Sequence, residues 1–184
     1  MSTRVASPFP TAPLASVVGS VRILGIDPGS QITGFGIVDV AGNRTTAVEW
    51  GSVRLEGGHS DRLRSIFTAL KQIVREYRPA EIAIERVFLS RNADSALKLG
   101  QARAAAICAT FDSNVPIYEY SARHIKKAVV GRGSAEKDQV QRMVQMILGV
   151  REAIAADAAD ALAAAICHAN ERTVRAALRV VGQG

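Results

Sequence analysis

The chain has 184 residues with ordinary hydrophobic (48%) and charged (22%) content, which suits one folded domain able to bury a core without staples. A formal net charge of +6 and a pI near 9.8 point to a polyanionic partner, with nucleic acid first among the candidates. Two isolated cysteines, Cys108 and Cys167, exclude a disulfide framework or a Cys-rich zinc site, and no run approaches the ~18 apolar residues of a membrane span. The expected location is therefore the reducing cytoplasm, away from any membrane, with both thiols buried in apolar helices.

Residues 1–20 are rich in Ser, Pro, Ala and Val, and Pro8, Pro10 and Pro13 interrupt the apolar region that a signal peptide needs. They read as a disordered extension, with translation starting near Val21 as an open alternative. Residues 21–170 form the expected folded domain and 171–184 a basic tail.

Arg22–Asp27 predicts a first strand. Thr33–Val40 alternates with period two, Gly42-Asn43 is a hairpin signal, and Thr45–Leu55 supplies a third strand, so the first three strands form an antiparallel meander. Ser60 or Asp61 can cap a helix whose apolar positions Leu63, Ile66, Leu70, Ile73, Val74 and Tyr77 keep helical spacing until Pro79. Ile82–Val87 is a fourth strand, Asp94–Phe111 a helix and Val115–Tyr120 a fifth strand. Ser121 can cap a short helix through Ala128, Gly131-Arg132-Gly133 is a loop, and Ala135–Leu148 and Ile154–Asn170 are two further helices. The fold class is α/β: a mixed five-stranded sheet covered by helices.

Four acidic residues stand where lone carboxylates are costly. Asp27 ends the first strand in Gly25-Ile26-Asp27-Pro28-Gly29-Ser30, and Glu85 ends the fourth in Ile84-Glu85-Arg86-Val87-Phe88. Asp157 and Asp160 lie three residues apart in an alanine-rich helix, on one face, where like charges repel unless a cation sits between them. A buried carboxylate neutralises or finds a cation. Four converging ones call for a metal ion, and hard oxygen ligands suit Mg²⁺ or Mn²⁺. Taken singly, each motif has a plainer reading: an Asp27-Pro28-Gly29 turn, a strand-end Glu85–Arg86 pair, or a solvated acidic helix face.

In order and at these spacings, the segments resemble the RuvC Holliday-junction resolvases, dimeric endonucleases of the ribonuclease H-like superfamily. Gly25 to Ser30, Ile84 to Phe88, Asn92 to Arg103, Val129 to Gly131, Gly133 to Lys137 and Ala156 to Leu162 carry the likeness, which runs from about Val21 to His168. The resemblance implies a ribonuclease H-like fold with Asp27, Glu85, Asp157 and Asp160 as catalytic, metal-holding acids. It implies two Mg²⁺ ions per site, with Mn²⁺ able to substitute. It also implies symmetric nicking of two strands of like polarity in a four-way junction, leaving 5′-phosphate and 3′-hydroxyl ends, in recombination and repair. Lys126 and Lys137 align with DNA-binding lysines, and Arg123 and Lys127 extend that cationic patch. Phe88 aligns with an aromatic that stacks at the junction core, although position alone would make it a core residue. Arg86 stands where the family often has Gln. It can bind DNA phosphate or compete with metal. Implied partners are a second copy of the chain, with the Asp94–Phe111 helix in the interface, and junction-binding and branch-migration motor proteins of the RuvA and RuvB type. Two other classes remain open: a superfamily nuclease acting on RNA or other branched DNA, and an actin-like ATPase or sugar kinase, whose strand-Asp-turn opening is similar but which needs two such domains.

Overall fold

The structure, a computed structural model, describes residues 19–86 and 92–181. Three strands, β1 (Val21–Asp27), β2 (Ile32–Ala41) and β3 (Arg44–Arg54), form the expected antiparallel meander. Gly42, with φ of 57°, occupies the first position of the two-residue β2–β3 turn, a backbone value that favours glycine. β4 (Glu81–Arg86) and β5 (Ile117–Ser121) add in parallel on the other side of β1, giving the order β3-β2-β1-β4-β5.

Helices α1 (His59–Tyr77) and α2 (Ala93–Cys108) cover one face of the sheet, and α3 (Ala122–Val130), α4 (Lys137–Leu148) and α5 (Ala156–Val181) the other. The alternation of strand side chains divides the core accordingly. Leu24, Ile26, Phe35, Ile37, Ile82 and Ile84 pack with α1 and α2, while Ile23, Val38, Ala83 and Tyr120 pack with the other three helices. Arg22 and Asp39, cross-strand partners on β1 and β2, form a buried bidentate pair with both N–O distances 2.8 Å, and Arg22 Nη1 also donates to the Tyr77 carbonyl. This pair ties the end of α1 to the meander, and the sequence reading did not single it out.

Several boundaries differ from expectation for physical reasons. The N-cap of α1 is Gly58, and Asp61 acts three residues later, its carboxylate accepting the Gly58 amide at 3.2 Å. α1 ends at Arg78 in the left-handed region before Pro79. α2 starts after Asn92, whose side chain accepts the Asp94 and Ser95 amides, and stops at Cys108, with Phe111–Ser113 forming a separate 3₁₀ turn. Cys108 is exposed, contrary to expectation, because it falls on the outward face of α2. Cys167 is buried, and burial pushes its thiol up to about 12. The helix expected to stop at Asn170 continues through Val181, so the start of the basic tail belongs to α5. Among the described residues no helix is long and apolar enough to cross a membrane. Phe88 and the segment 1–18 lie outside the described residues.

α5 lies directly on the centre of the sheet. A Cβ on Gly25 would fall 1.9 Å from the Ala161 carbonyl oxygen, and one on Gly34 would fall 2.0 Å from the Asp157 carbonyl oxygen. Glycine at these positions sets how close the helix backbone comes. Since the opposing atoms are backbone, a methyl group can be admitted only by lifting the helix. Gly25→Ala should therefore lower the unfolding free energy by about 3 kcal/mol or more in urea titration, at the upper end of overpacking costs. A loss below about 1 kcal/mol would contradict the close seating of α5.

Candidate active site

The four carboxylates come from three elements and meet at one end of the sheet. β1 delivers Asp27 from its last residue, on the α5 side. Its neighbour β4 delivers Glu85 on that same side, since Gly25 pairs with Ala83 and side chains alternate along both strands. The first two turns of α5 supply Asp157 and Asp160. Register makes the meeting possible: Asp27 pairs with Gly34, and Gly34 is the residue against which the Asp157 carbonyl rests. After Asp27, the Pro28-Gly29-Ser30 turn is closed by Thr33, whose hydroxyl donates to the Gly29 carbonyl at 3.2 Å. A Cβ on Gly29 would meet the Ile32 carbonyl at 2.0 Å, so the chain's own turn already requires glycine there.

The proximity sets the electrostatics of the group. Burial first, then the charges of Glu85, Asp160 and Asp157, push the Asp27 carboxyl up to about 7. Glu85 is raised as well, by burial and then by Asp160, with Lys137 and Lys126 opposing. Lys137 Nζ lies 3.3 Å from Asp160 Oδ2, and the carboxylates of Asp160, Asp27 and Asp157 hold its proton more firmly than usual. Lys137 opens α4, an end of a helix where its dipole disfavours a cation. The nearby carboxylates account for its presence there.

The predicted cationic residues separate into two groups. Lys137 pairs with Asp160, and Lys126, half-buried on α3, acts on Glu85 through its charge. α3 starts at the same end of the sheet because Ser121, its N-cap, accepts the His124 amide at 3.2 Å directly after β5. Arg123 and Lys127 are exposed on α3, Arg123 lying against Gly133, where a Cβ would come within 2.6 Å of its Cγ. Arg86 alternates to the opposite face of β4 from Glu85, and its Nε stands 3.7 Å from Glu119 Oε2. Glu119 also faces Arg103 Nη2 at 2.7 Å. Of the two readings open for Arg86, competition at the carboxylates is disfavoured by this direction.

Among the described residues no set of three or more His, Cys, Asp or Glu side chains is already closed into a geometry that could hold a metal ion. The donor set nevertheless fits one: hard carboxylate oxygens, partly desolvated, repelling one another strongly enough to bring Asp27 near neutral pH, and opposed by ammonium groups. Asp27, Glu85, Asp157 and Asp160 are the residues that would hold it.

The raised Asp27 pKa has a stability consequence. Between its unfolded value of 3.8 and its folded value of about 7, the folded protein binds more protons than the unfolded chain, so stability falls as pH rises through this window. Glu85 acts in the same direction. Asp27→Asn in metal-free protein should therefore gain stability relative to the parent at pH 8 and show little gain at pH 4, as read by denaturant melts. An equal effect at both pH values would contradict the clustering.

Known proteins share this sequence and fold. The family described as crossover junction endodeoxyribonuclease RuvC matches residues 23–168. A relative of that name from Geobacter sulfurreducens is 49% identical over 164 residues, 88% of this chain and 99% of the relative. One from Shewanella piezotolerans is 54% identical over 147 residues, covering 79% and 85%. The structure of Thermus thermophilus RuvC in complex with Holliday junction substrate superimposes with a TM-score of 0.79 at 33% identity, over 84% of this chain and 96% of the other. With its mixed sheet, strand order and four acids at one sheet end, the chain belongs to the RuvC family of crossover junction endodeoxyribonucleases.

Proposed function

We propose that the chain resolves four-way DNA junctions in recombination and repair by metal-dependent nicking of two strands of like polarity, leaving 5′-phosphate and 3′-hydroxyl ends. The observation that carries this is the convergence of Asp27, Glu85, Asp157 and Asp160 beside Lys126 and Lys137. The four acids are the catalytic set and would hold divalent ions, two Mg²⁺ with Mn²⁺ as a substitute. Such ions would supply Lewis-acid polarisation of the scissile phosphate and charge neutralisation at the leaving oxygen.

The chain's own residues divide the remaining work. Ionised carboxylates attract the cations, and the raised Asp27 pKa makes that attraction weaken as pH falls below about 7. Lys126 and Lys137 draw the phosphate backbone to the acids, while Arg86, Arg123 and Lys127 extend the positive surface along the strands. Phe88, just beyond Arg86, would stack on a base at the opened crossover. The nuclease unit runs from β1 at Val21 into α5, which continues past the expected limit of 170 to Val181. The chain acts as a homodimer, whose two-fold axis matches that of the junction. α2 and the 3₁₀ turn that follows it offer a surface for it, with Leu97 67% and Phe111 62% exposed. Junction-binding and branch-migration proteins of the RuvA and RuvB type are the expected partners, and the cytoplasm the expected place.

Cleavage of a synthetic four-way junction in Mg²⁺, beside duplex and RNA–DNA hybrid controls, tests the reading. The junction should be nicked symmetrically and the controls spared. Asp27→Asn, Glu85→Gln, Asp157→Asn and Asp160→Asn should each slow nicking by about a hundredfold or more while keeping junction affinity, because removing charge stabilisation at the reacting group costs that much. Lys126→Ala should instead weaken binding and lower its log–log salt slope by about one. Wild-type cleavage by Asp27→Asn would overturn the proposal.

A further inference from the structure

At the far end of β4 from the carboxylates, and midway along α5, lies a second polar cluster that nicking does not use. His168, fully buried, has both ring nitrogens engaged. Its Nε2–H donates to Glu81 Oε2 at 2.7 Å, and its Nδ1 accepts the Tyr120 hydroxyl at 2.7 Å. This fixes the neutral tautomer with the proton on Nε2, and burial, the largest influence, lowers the His168 pKa in keeping with it. The Tyr118 ring stacks on the imidazole with centroids 4.2 Å apart, and Arg172 Nε donates to the same Glu81 oxygen at 2.6 Å.

The same two elements carry both clusters. Glu81 and Glu85 mark the two ends of β4, while His168 and Asp160 lie eight residues apart on α5. Four strand residues span about 13 Å and eight helical residues about 12 Å, so an antiparallel helix and strand bridged at one end are in step at the other. Packing alone does not secure that step. Between Asp157 and Ala165 only Leu162 among the apolar residues is larger than alanine, and the opposing floor includes Gly25, Gly34 and Gly36. A smooth helix on a glycine floor can approach closely, but few knobs oppose its sliding or rolling.

We propose that His168 is a positioning residue: bridging Glu81 on β4 and Tyr120 on β5, it fixes the axial and rotational setting of α5 that brings Asp157 and Asp160 against Asp27 and Glu85. The consequence for nicking rests on these four acids being the catalytic set; the consequence for their mutual distance does not.

Two readouts on the full-length protein separate the claims. The first is the carboxyl titration of Asp27 in metal-free protein, followed by ¹³C NMR at a temperature where each variant is folded. The second is the single-turnover rate on a synthetic junction in Mg²⁺, measured beside junction affinity. His168→Phe keeps the ring on Tyr118 and loses both hydrogen bonds. Its Asp27 midpoint should fall from that of the parent, and nicking should slow about tenfold or more, with affinity within about twofold of the parent. His168→Gln, which can still donate to Glu81, should recover most of both. An Asp27 midpoint unchanged in folded His168→Phe overturns the proposal, as does a Gln variant no better than Phe, since a role in stability alone would leave the folded-state titration where it was. A fallen midpoint with an unchanged rate would uphold the positioning and refute the catalytic assignment of the acids. If His168→Phe does not fold, Tyr120→Phe, which deletes only the hydroxyl on Nδ1, is judged by the same midpoint.

Discussion

The site depends on how closely one helix backbone can approach a sheet. α5 rests on Gly25 and Gly34 with its carbonyls where side chains would otherwise stand, and on Gly36 with the Leu162 side chain. Because Gly34 is the register partner of Asp27, the contact that seats the helix also lets Asp157 come down to the level of Asp27. Alanine on the helix and glycine on the strands are thus parts of one geometric requirement. Larger residues on either side would bury more apolar area and move the acids apart.

That seating opposes stability. Four half-buried carboxylates, with Asp27 pushed up to about 7, are an electrostatic load that a structure selected for stability alone would not keep. Lys137 and Lys126 relieve part of it and leave the carboxylates in need of further positive charge. In the proposed function, a site strained in this way would attract divalent cations and, through its lysine rim, the phosphates those cations act on. The same lysines serve the free protein as counter-charges and, on the proposed function, would serve the bound one as contacts.

Much of this was legible in the sequence because isolated polar residues in apolar runs are expensive. Asp27, Glu85, Asp157 and Asp160 stood out on that ground, and the strands, written in period-two alternation, fell within about two residues of their observed limits. The same signal was present at Arg22, Glu81 and His168, but these residues satisfy one another across the fold, and their pairing depends on strand order and helix seating rather than on any local pattern. Helix ends were less legible. The N-cap of α1 is a glycine served by Asp61, and the end of α5 has no stop signal between Asn170 and Val181. The exposure of Cys108 follows from which face α2 turns outward, which composition does not encode.

The central claim is that the four acids form one proton-coupled cation site. Calorimetric titration of Mn²⁺ into the DNA-free protein, in two buffers of different ionisation enthalpy, tests it directly. Binding should release protons near pH 6.5, because Asp27 with a pKa of about 7 must give up its proton to the ion, and the release should shrink by pH 8. Absence of saturable binding, or binding without proton release at pH 6.5, would contradict the account.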